Sequence, residues 1–558
     1  MRRGLRCRPG TAQHRYGLAA QVIAGLAEDS VGPTLHLPHS VAERAYRRTR
    51  QRRLLPALEH RLQEMQIPRV VHRRDRRHAM LGSRHGRQTK PAHRAQQLAH
   101  ALGAVVEWPA ARRWRHGGGI VRCMRMGGDD DHDAVREVDM KRVVLVILDG
   151  LRRDFVNDAR TPHLAEFAAR AEWFPAYRTA FPSATRVVTA TLVTGCHPAR
   201  HTLQGNAMAL LEDGVLVAHD VGRPDFLAHK RTVTGHALAV PTLAERLAPH
   251  GGAIVYSNVS PGAAYTHDPD GCGHVYHRAG SFAPGRIAIA PLPVTLDTAG
   301  DRTMTEHFIA DALGTRSPAL AVLWLGEPDH SQHELPLGSP QHLAVIRDTD
   351  RNAGEVIVAV DRRRAAGDDI LLIVGSDHGH ETVSGIVDIE AELIAAGLKS
   401  GSDSNDVIAV SSGNASLIYL HPDAEHQRDR LGDFLMSRDW VGHLFDATNL
   451  ATVGQAPYNN LAFAVSLKAD GLENEFGIPG RSLAAKPRWD KQDKLGCGQH
   501  GGLARFEQSP TLLIDGAGFA AGAVRDEPVH VIDLAPSIMR HLGIPADGMD
   551  GRPLQQAL

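Results

Sequence analysis

Six side chains of two chemical kinds are the most reactive-looking pattern in this 558-residue chain. Asp149 stands in VILDGLRRD, Asp329 and His333 in EPDHSQH, Asp377 and His378 in GSDHGH, and His500 in GQHGG. Asp329 and His333 are spaced i, i+4, so a single helical turn aims both at one point. Asp377 and His378 are adjacent, so a turn rather than a strand must bring them together. Glycines around His500 allow close backbone approach. Taken singly, each residue is most simply a surface or capping group. Together they supply three carboxylates and three imidazoles. That is enough to hold two divalent ions by three ligands each, with positions left open for substrate. It is the composition of a catalytic dinuclear zinc centre, whose ions stand about 4 Å apart. The same nitrogen and oxygen donors also accept manganese or iron.

These residues need a scaffold that ends several elements at one place. Apolar runs at Val143–Leu148, Ala253–Tyr256, Ala319–Leu325 and Ile370–Val374 read as strands buried on both faces. Helical patterns lie between them at Pro162–Ala171, Pro241–Leu247, Thr303–Leu313 and His342–Val360. Alternating strands and helices predict an α/β fold with a mostly parallel central sheet flanked by helices. In such sheets ligands bind beyond the carboxyl ends of the strands. Three of the runs end in that way, at Asp149, at Glu327-Pro-Asp329 and at Asp377-His378. Residues 384–490 read as an inserted smaller α/β lobe, with a helix at Ile389–Ala396 and strands at Val407–Val410 and Ala415–Tyr419. The chain then returns through His500 to a last strand, Thr511–Ile514, and a final helix, Val531–Leu542.

Composition excludes several classes. Hydrophobic residues are 42% and charged residues 23%, as in an ordinary globular protein. The longest apolar run, Ala319–Leu325, is seven residues, too short for a membrane span. Five cysteines (Cys7, Cys123, Cys196, Cys272 and Cys497) without a C-x-x-C pair exclude a disulfide scaffold and a cysteine-rich zinc module. The net charge of zero conceals a division: residues 1–139 carry 26 Arg and one Lys against 13 acidic residues, and the remainder is acidic by the same margin. This first segment shows no sustained helical or strand period and is almost free of lysine. It reads as an over-extended start to a single domain spanning 140–558. A disordered basic extension and a nucleic-acid-binding arm are the alternatives. No apolar stretch follows Arg2–Arg8 as a secretory signal would require, so the expected location is cytoplasmic.

The ordered set of motifs resembles the alkaline phosphatase superfamily, most closely its type I phosphodiesterase/nucleotide pyrophosphatase branch. The resemblance runs from Met140 to Leu558 and rests on Asp149, Thr185, Asn206, Asp329, His333, Asp377, His378 and His500 in order and local context, with a closing segment VIDLAPSIMRHLGIPADGMDGRPL. It implies an alkaline-phosphatase-like sandwich. It further implies one zinc on Asp329, His333 and His500 and a second on Asp149, Asp377 and His378. FPSATRVVTATLVTG is similar to the segment that carries the nucleophile, here Thr185, and Asn206 would donate to a phosphoryl oxygen. The implied reaction is hydrolysis of phosphodiesters or pyrophosphates of the nucleotide type through a phospho-threonine. Read without the family, Thr185 is a cap for a helix beginning near Arg186, and Asn206 a turn residue.

Two departures matter. Cys196-His-Pro-Ala-Arg200 resembles a sulfatase signature, but it comes too late after Asp149, and Cys196 is better read as a small packed residue. Nucleotide-cleaving members commonly carry an aromatic after the nucleophile, where this chain has Arg186. A guanidinium there can bind a second anionic group of a substrate bidentately. Phosphonoacetate hydrolase-like and phosphomonoesterase activities therefore remain alternatives on the same metal site. Lys230, Arg231 and residues 260–271 read as an exposed loop near the substrate end.

Overall fold

A strand that is apolar at consecutive positions is stable only with both faces covered, and that requirement organises the molecule. The computed structural model describes residues 141–489 and 492–556. The segment 1–139, read above as an over-extended start or basic arm, lies outside the described residues. In chain order, the elements that build the site begin with β1 (Arg142–Leu148), α1 (Thr185–Thr194), β2 (Ala207–Glu212), β3 (Val215–Asp220) and α2 (Phe226–Thr234). They continue with β4 (Ala253–Ser257), α3 (Thr298–Ala310), β5 (Leu320–Leu325), α4 (Asp329–Gln332), α5 (Pro340–Ala365), β6 (Ile370–Gly375), β7 (Leu512–Asp515) and α6 (Leu534–His541).

Strands β6, β1, β5 and β4 are hydrogen-bonded in that order, all parallel, at the centre of a nine-stranded sheet. Val143, Leu145 and Ile147 of β1 enter one apolar layer, and Val144, Val146 and Leu148 the other. Helix α1 and the β2–β3 hairpin pack in the first layer, and α3 and α5 in the second. This is the expected α/β sandwich. The register sets the strand ends level: Leu148 lies opposite Leu325, and Ile147 opposite Gly375. The residues that follow each strand therefore emerge along one edge.

The last strand differs from its neighbours. β7 runs antiparallel to β6, with Leu512 opposite Gly375. Its beginning, rather than its end, faces the edge where the other strands end, and so the preceding segment from His500 arrives there. Helix ends also shift from expectation for local reasons. The helix expected at Thr303 starts at Thr298, where Asp297 accepts a hydrogen bond from Gly300 N. The one expected from Pro241 starts at Leu243 under a Thr242 cap. The final helix is divided into a 3-10 turn, Val531–Asp533, and α6.

Within residues 384–490, four antiparallel strands (Val407–Ser411, Ala415–Leu420, Leu461–Leu467 and Val441–Phe445) form a separate sheet over their own apolar cluster, which includes Leu393, Leu431 and Leu435. A second small sheet joins this region to the site: Glu381–Val387 pairs with Gly498–Gln499, Glu381 opposite Gln499. No helix among the described residues is long and apolar enough to cross a membrane.

Candidate metal centre

The turn after β1 begins the site. Asp149 is buried, and its Oδ2 accepts a hydrogen bond from the Trp324 indole Nε1 at 2.9 Å. Gly150 follows at φ +72°, and a Cβ there would stand 2.8 Å from His380 Nε2. Only glycine fits a left-handed turn pressed this closely against the site. Gly150 N donates to Asp377 Oδ1 at 3.1 Å, and Leu151 N to Ser376 Oγ at 2.8 Å, fastening the β1 turn to the turn after β6. Asp329 N donates to Asp149 O at 3.0 Å, which fastens the third turn to the first.

Five of the six expected ligands fall into two groups that could each share an ion, Asp149 with Asp377 and His378, and Asp329 with His378, His500 and the unexpected His380, whereas His333 approaches Asp329 without joining a group. Around Asp329 Oδ1 stand His333 Nε2 and His500 Nε2, each at 3.4 Å. Beside them, His378 Nε2 lies 3.4 Å from Asp149 Oδ1 and 3.2 Å from Asp377 Oδ2. Donor atoms around a tetrahedral zinc with bonds near 2.0 Å stand roughly 3.3 Å apart, so these separations fit a shared ion better than direct hydrogen bonds. Asp149 Oδ1 and Asp377 Oδ2 are both buried and accept no hydrogen bond, a costly arrangement unless a cation completes it. The imidazoles are turned for the same purpose. Nδ1 of His333 faces Gly498 O at 3.0 Å, that of His378 faces Gly379 O at 3.1 Å, and that of His500 faces Ser183 O at 2.7 Å. Donating Nδ1–H to a carbonyl leaves each Nε2 lone pair pointing inward, the usual posture of a metal-ligating histidine.

Charge supports this reading. Burial, with Asp377 and Asp329 close by, holds the Asp149 carboxyl well above the ordinary carboxylate range, against the Trp324 hydrogen bond. Burial likewise raises Asp377. It pushes His380 down to about 3, His500 well down and His333 down. Asp329 runs the other way: burial raises it, but His333, His380 and His500 together hold it well below the usual range. A buried cluster of carboxylates is what a bound dication would stabilise.

Thr185 sits at the first position of α1, and the helix N-cap is Ala184, so the hydroxyl does not cap. With His378 Nδ1 committed to a carbonyl, Thr185 Oγ1 donates to His378 Nε2 at 3.2 Å. Asn206 Oδ1 accepts from Arg186 N at 3.4 Å, and Asn206 N donates to Ser412 Oγ at 3.2 Å. Arg186 is half-buried, with Nε 3.2 Å from Ser260 Oγ. The structure thus brings all nine expected residues to one edge of the sheet. It corrects the exposed-loop reading of residues 230, 231 and 260–271. Lys230 and Arg231 are on α2, Lys230 is fully buried and donates to Thr202 Oγ1 at 2.9 Å, and Pro261–Thr266 is a short helix. Cys196 is buried just past the C-terminal end of α1, the end opposite Thr185.

Three residues of the site escaped sequence reasoning. His380 Nε2 lies 2.8 Å from Asp329 Oδ1, a hydrogen-bond distance, and its Nδ1 is buried without a partner. Its signal was the second histidine of GSDHGH. Trp324 orients Asp149 from within an apolar run, where only the indole N–H hinted at a polar partner. Ser183 receives His500 at its carbonyl, and its hydroxyl accepts from Gly501 N at 2.9 Å.

Comparison with the sequences of characterised proteins returned no match. Among solved structures, a murine ectonucleotide pyrophosphatase/phosphodiesterase 5, in an inactive form in complex with AMP, superposes with a TM-score of 0.53 at 18% identity, covering 74% of this chain and 97% of that one. The human ectonucleotide pyrophosphatase/phosphodiesterase 5 superposes equally, at 17% identity with the same coverage. These likenesses establish the shared fold. The family model for type I phosphodiesterase/nucleotide pyrophosphatase matches residues 143–481, more than half of the chain and every expected site residue except His500. The chain therefore belongs to the type I phosphodiesterase/nucleotide pyrophosphatase family, hydrolases of phosphoric esters.

Proposed function

We propose that the protein hydrolyses phosphodiesters or pyrophosphates of the nucleotide type through a covalent phospho-Thr185. The observation that carries this reading is the Thr185 hydroxyl, placed at a helix start and 3.2 Å from the inward Nε2 of His378. Two zinc ions fit the donors, one on Asp329, His333 and His500 and one on Asp149, Asp377 and His378, with manganese or iron as chemical substitutes. When bound, they would neutralise phosphate charge and favour the ionised form of the threonine hydroxyl. The chain's own residues supply the rest. Thr185 Oγ bonds to phosphorus as the bond to the leaving oxygen breaks in line. Water then displaces the Thr185 oxygen, releasing phosphate product and restoring the hydroxyl. The N-terminal end of α1 favours an anion at this point. Asn206, with Oδ1 turned to Arg186 N, keeps its NH2 to donate to a phosphoryl oxygen. The AMP bound by the murine relative supports a nucleotide-type ester.

Arg186 favours a second reading. Its guanidinium, beside the nucleophile, can pair with a second anionic group, as in a phosphomonoester or phosphonoacetate. A panel of bis-(p-nitrophenyl) phosphate, p-nitrophenyl phosphate, a dinucleotide polyphosphate and phosphonoacetate separates the two, with the diester and dinucleotide expected to turn over fastest. Thr185→Ala should lower kcat by roughly 10³-fold or more with metal content unchanged. Turnover near that of the wild type in Thr185→Ala would remove threonine from its role.

A further inference from the structure

A second group of metal-type donors lies outside the catalytic edge. We propose that Glu212, His219 and His229 form a third divalent-cation site, of the zinc class, that fastens the β2–β3 hairpin to α2. Glu212 and His219 share one face of the hairpin, since His219 pairs with Met208 and Met208 lies four residues before Glu212 on its strand. His229 comes from the first turn of α2, so three donors arrive from three elements close in sequence. Glu212 Oε1 lies 2.5 Å from His219 Nε2 and 2.8 Å from His229 Nε2, and the two rings stand 4.7 Å apart. All three side chains are partly exposed, so an ion can enter from solvent and keep water in its open positions. Two imidazoles and a carboxylate are a recognised three-ligand set for zinc. Both contacts to Glu212 Oε1 are hydrogen bonds, shorter than the roughly 3.3 Å between donors that share a zinc, so loading replaces them: the carboxylate turns outward and the cation takes the place of the two Nε2 hydrogens. Without one, both Nε2 atoms must be protonated to share that oxygen.

The site has a structural consequence for the catalytic edge. β2 begins directly after Asn206, and Val221, directly after β3, donates its N–H to Asn206 O at 3.1 Å. Gly222 follows, so close to the Arg186 guanidinium that a Cβ would overlap it. An ion on the hairpin would thus brace the base that carries Asn206 and the Gly222 backbone against which the Arg186 guanidinium packs. The inference does not depend on the catalytic donors holding zinc.

The test uses the full chain, loaded with zinc chloride, freed of excess metal by gel filtration and analysed for zinc per chain. His219→Ala and His229→Ala should each hold one equivalent fewer than the wild type. In a background carrying His333→Ala and His378→Ala, one equivalent should remain, and it should vanish on adding His229→Ala. Glu212→Gln keeps an oxygen acceptor and the side-chain shape, and should weaken that equivalent at least tenfold in a chelator competition even if the histidine variants fold poorly. Equal zinc content in wild type and His229→Ala, together with unchanged competition in Glu212→Gln, would leave a hydrogen-bonded cluster only and overturn the site.

Discussion

His378, His380 and His500 crowd together, with ring centroids 3.6–5.5 Å apart, yet the distance from each Nε2 to its carboxylate oxygen differs. His378 and His500 turn Nε2 toward carboxylate oxygens at separations suited to a shared ion, whereas His380 sits at hydrogen-bonding distance from Asp329. His380 also stands within reach of an ion shared by Asp329, His378 and His500, and the expected role that its hydrogen bond supports is to aim the Asp329 carboxylate. His380→Ala should weaken zinc affinity about 10- to 100-fold, the usual cost of losing such a partner, while saturating zinc still fills the site. His500→Ala should lose the equivalent outright. Chelator-competition titration distinguishes them, and an identical loss in both variants would make His380 a ligand. Arg186 decides substrate choice. If its guanidinium pairs with a second anion, Arg186→Ala should cost a monoester or phosphonoacetate about 1.5–3 kcal/mol, roughly 10- to 150-fold in kcat/KM, and a diester little. Equal losses on both substrates would assign Arg186 to the fold around Ser260 instead.

At the scale of elements, the turn after β5 delivers Asp329, and α3 holds that turn. The buried Asp301 carboxylate accepts hydrogen bonds from Asn258 Nδ2 at 2.8 Å, Gly326 N at 3.2 Å and Glu327 N at 2.8 Å. Burial pushes this carboxyl up to about 6, against those donors. The folded protein then binds more protons than the unfolded chain between about pH 4 and 6, so this group's contribution falls as pH rises through that window, by on the order of 2–3 kcal/mol. Asp301→Asn should flatten that slope in urea unfolding of metal-free protein and lower turnover by loosening the turn. A slope unchanged by the substitution would clear Asp301. Much of this architecture was legible. Unbroken apolar runs marked β1, β4, β5 and β6, and three acidic strand ends marked the edge they share. The direction of β7 was not, because an isolated Thr511–Ile514 run carries no sign of which neighbour it will join. The β2–β3 hairpin was also missed. Its Asp213-Gly214 turn, both residues at positive φ, is a strong hairpin signal, but the strands around it mix His, Asp and Glu into the apolar pattern.

For the whole molecule, the open question is what the first 139 residues contribute. Arg142 opens the central strand, and its buried guanidinium binds Asp368 Oδ2 at 2.7 Å and the carbonyls of Ala312 and Pro318 at 2.8 and 3.4 Å. Among the described residues, the central strands and both apolar layers begin in the strand that opens at Arg142. A chain starting at Met140 should therefore fold, bind the same zinc and turn over the same substrate, with Tm within about 2 °C of the full chain. Its net charge becomes −14 where the full chain has none, so removing the segment also isolates any electrostatic affinity for nucleic acid. Such affinity would fall steeply with salt. Fluorescence anisotropy with duplex DNA at 50 and 200 mM salt should show no binding lost on truncation. Salt-sensitive binding confined to the full chain would make the segment a nucleic-acid arm on a phosphoric ester hydrolase, and a truncated chain that melts early would make it part of the fold.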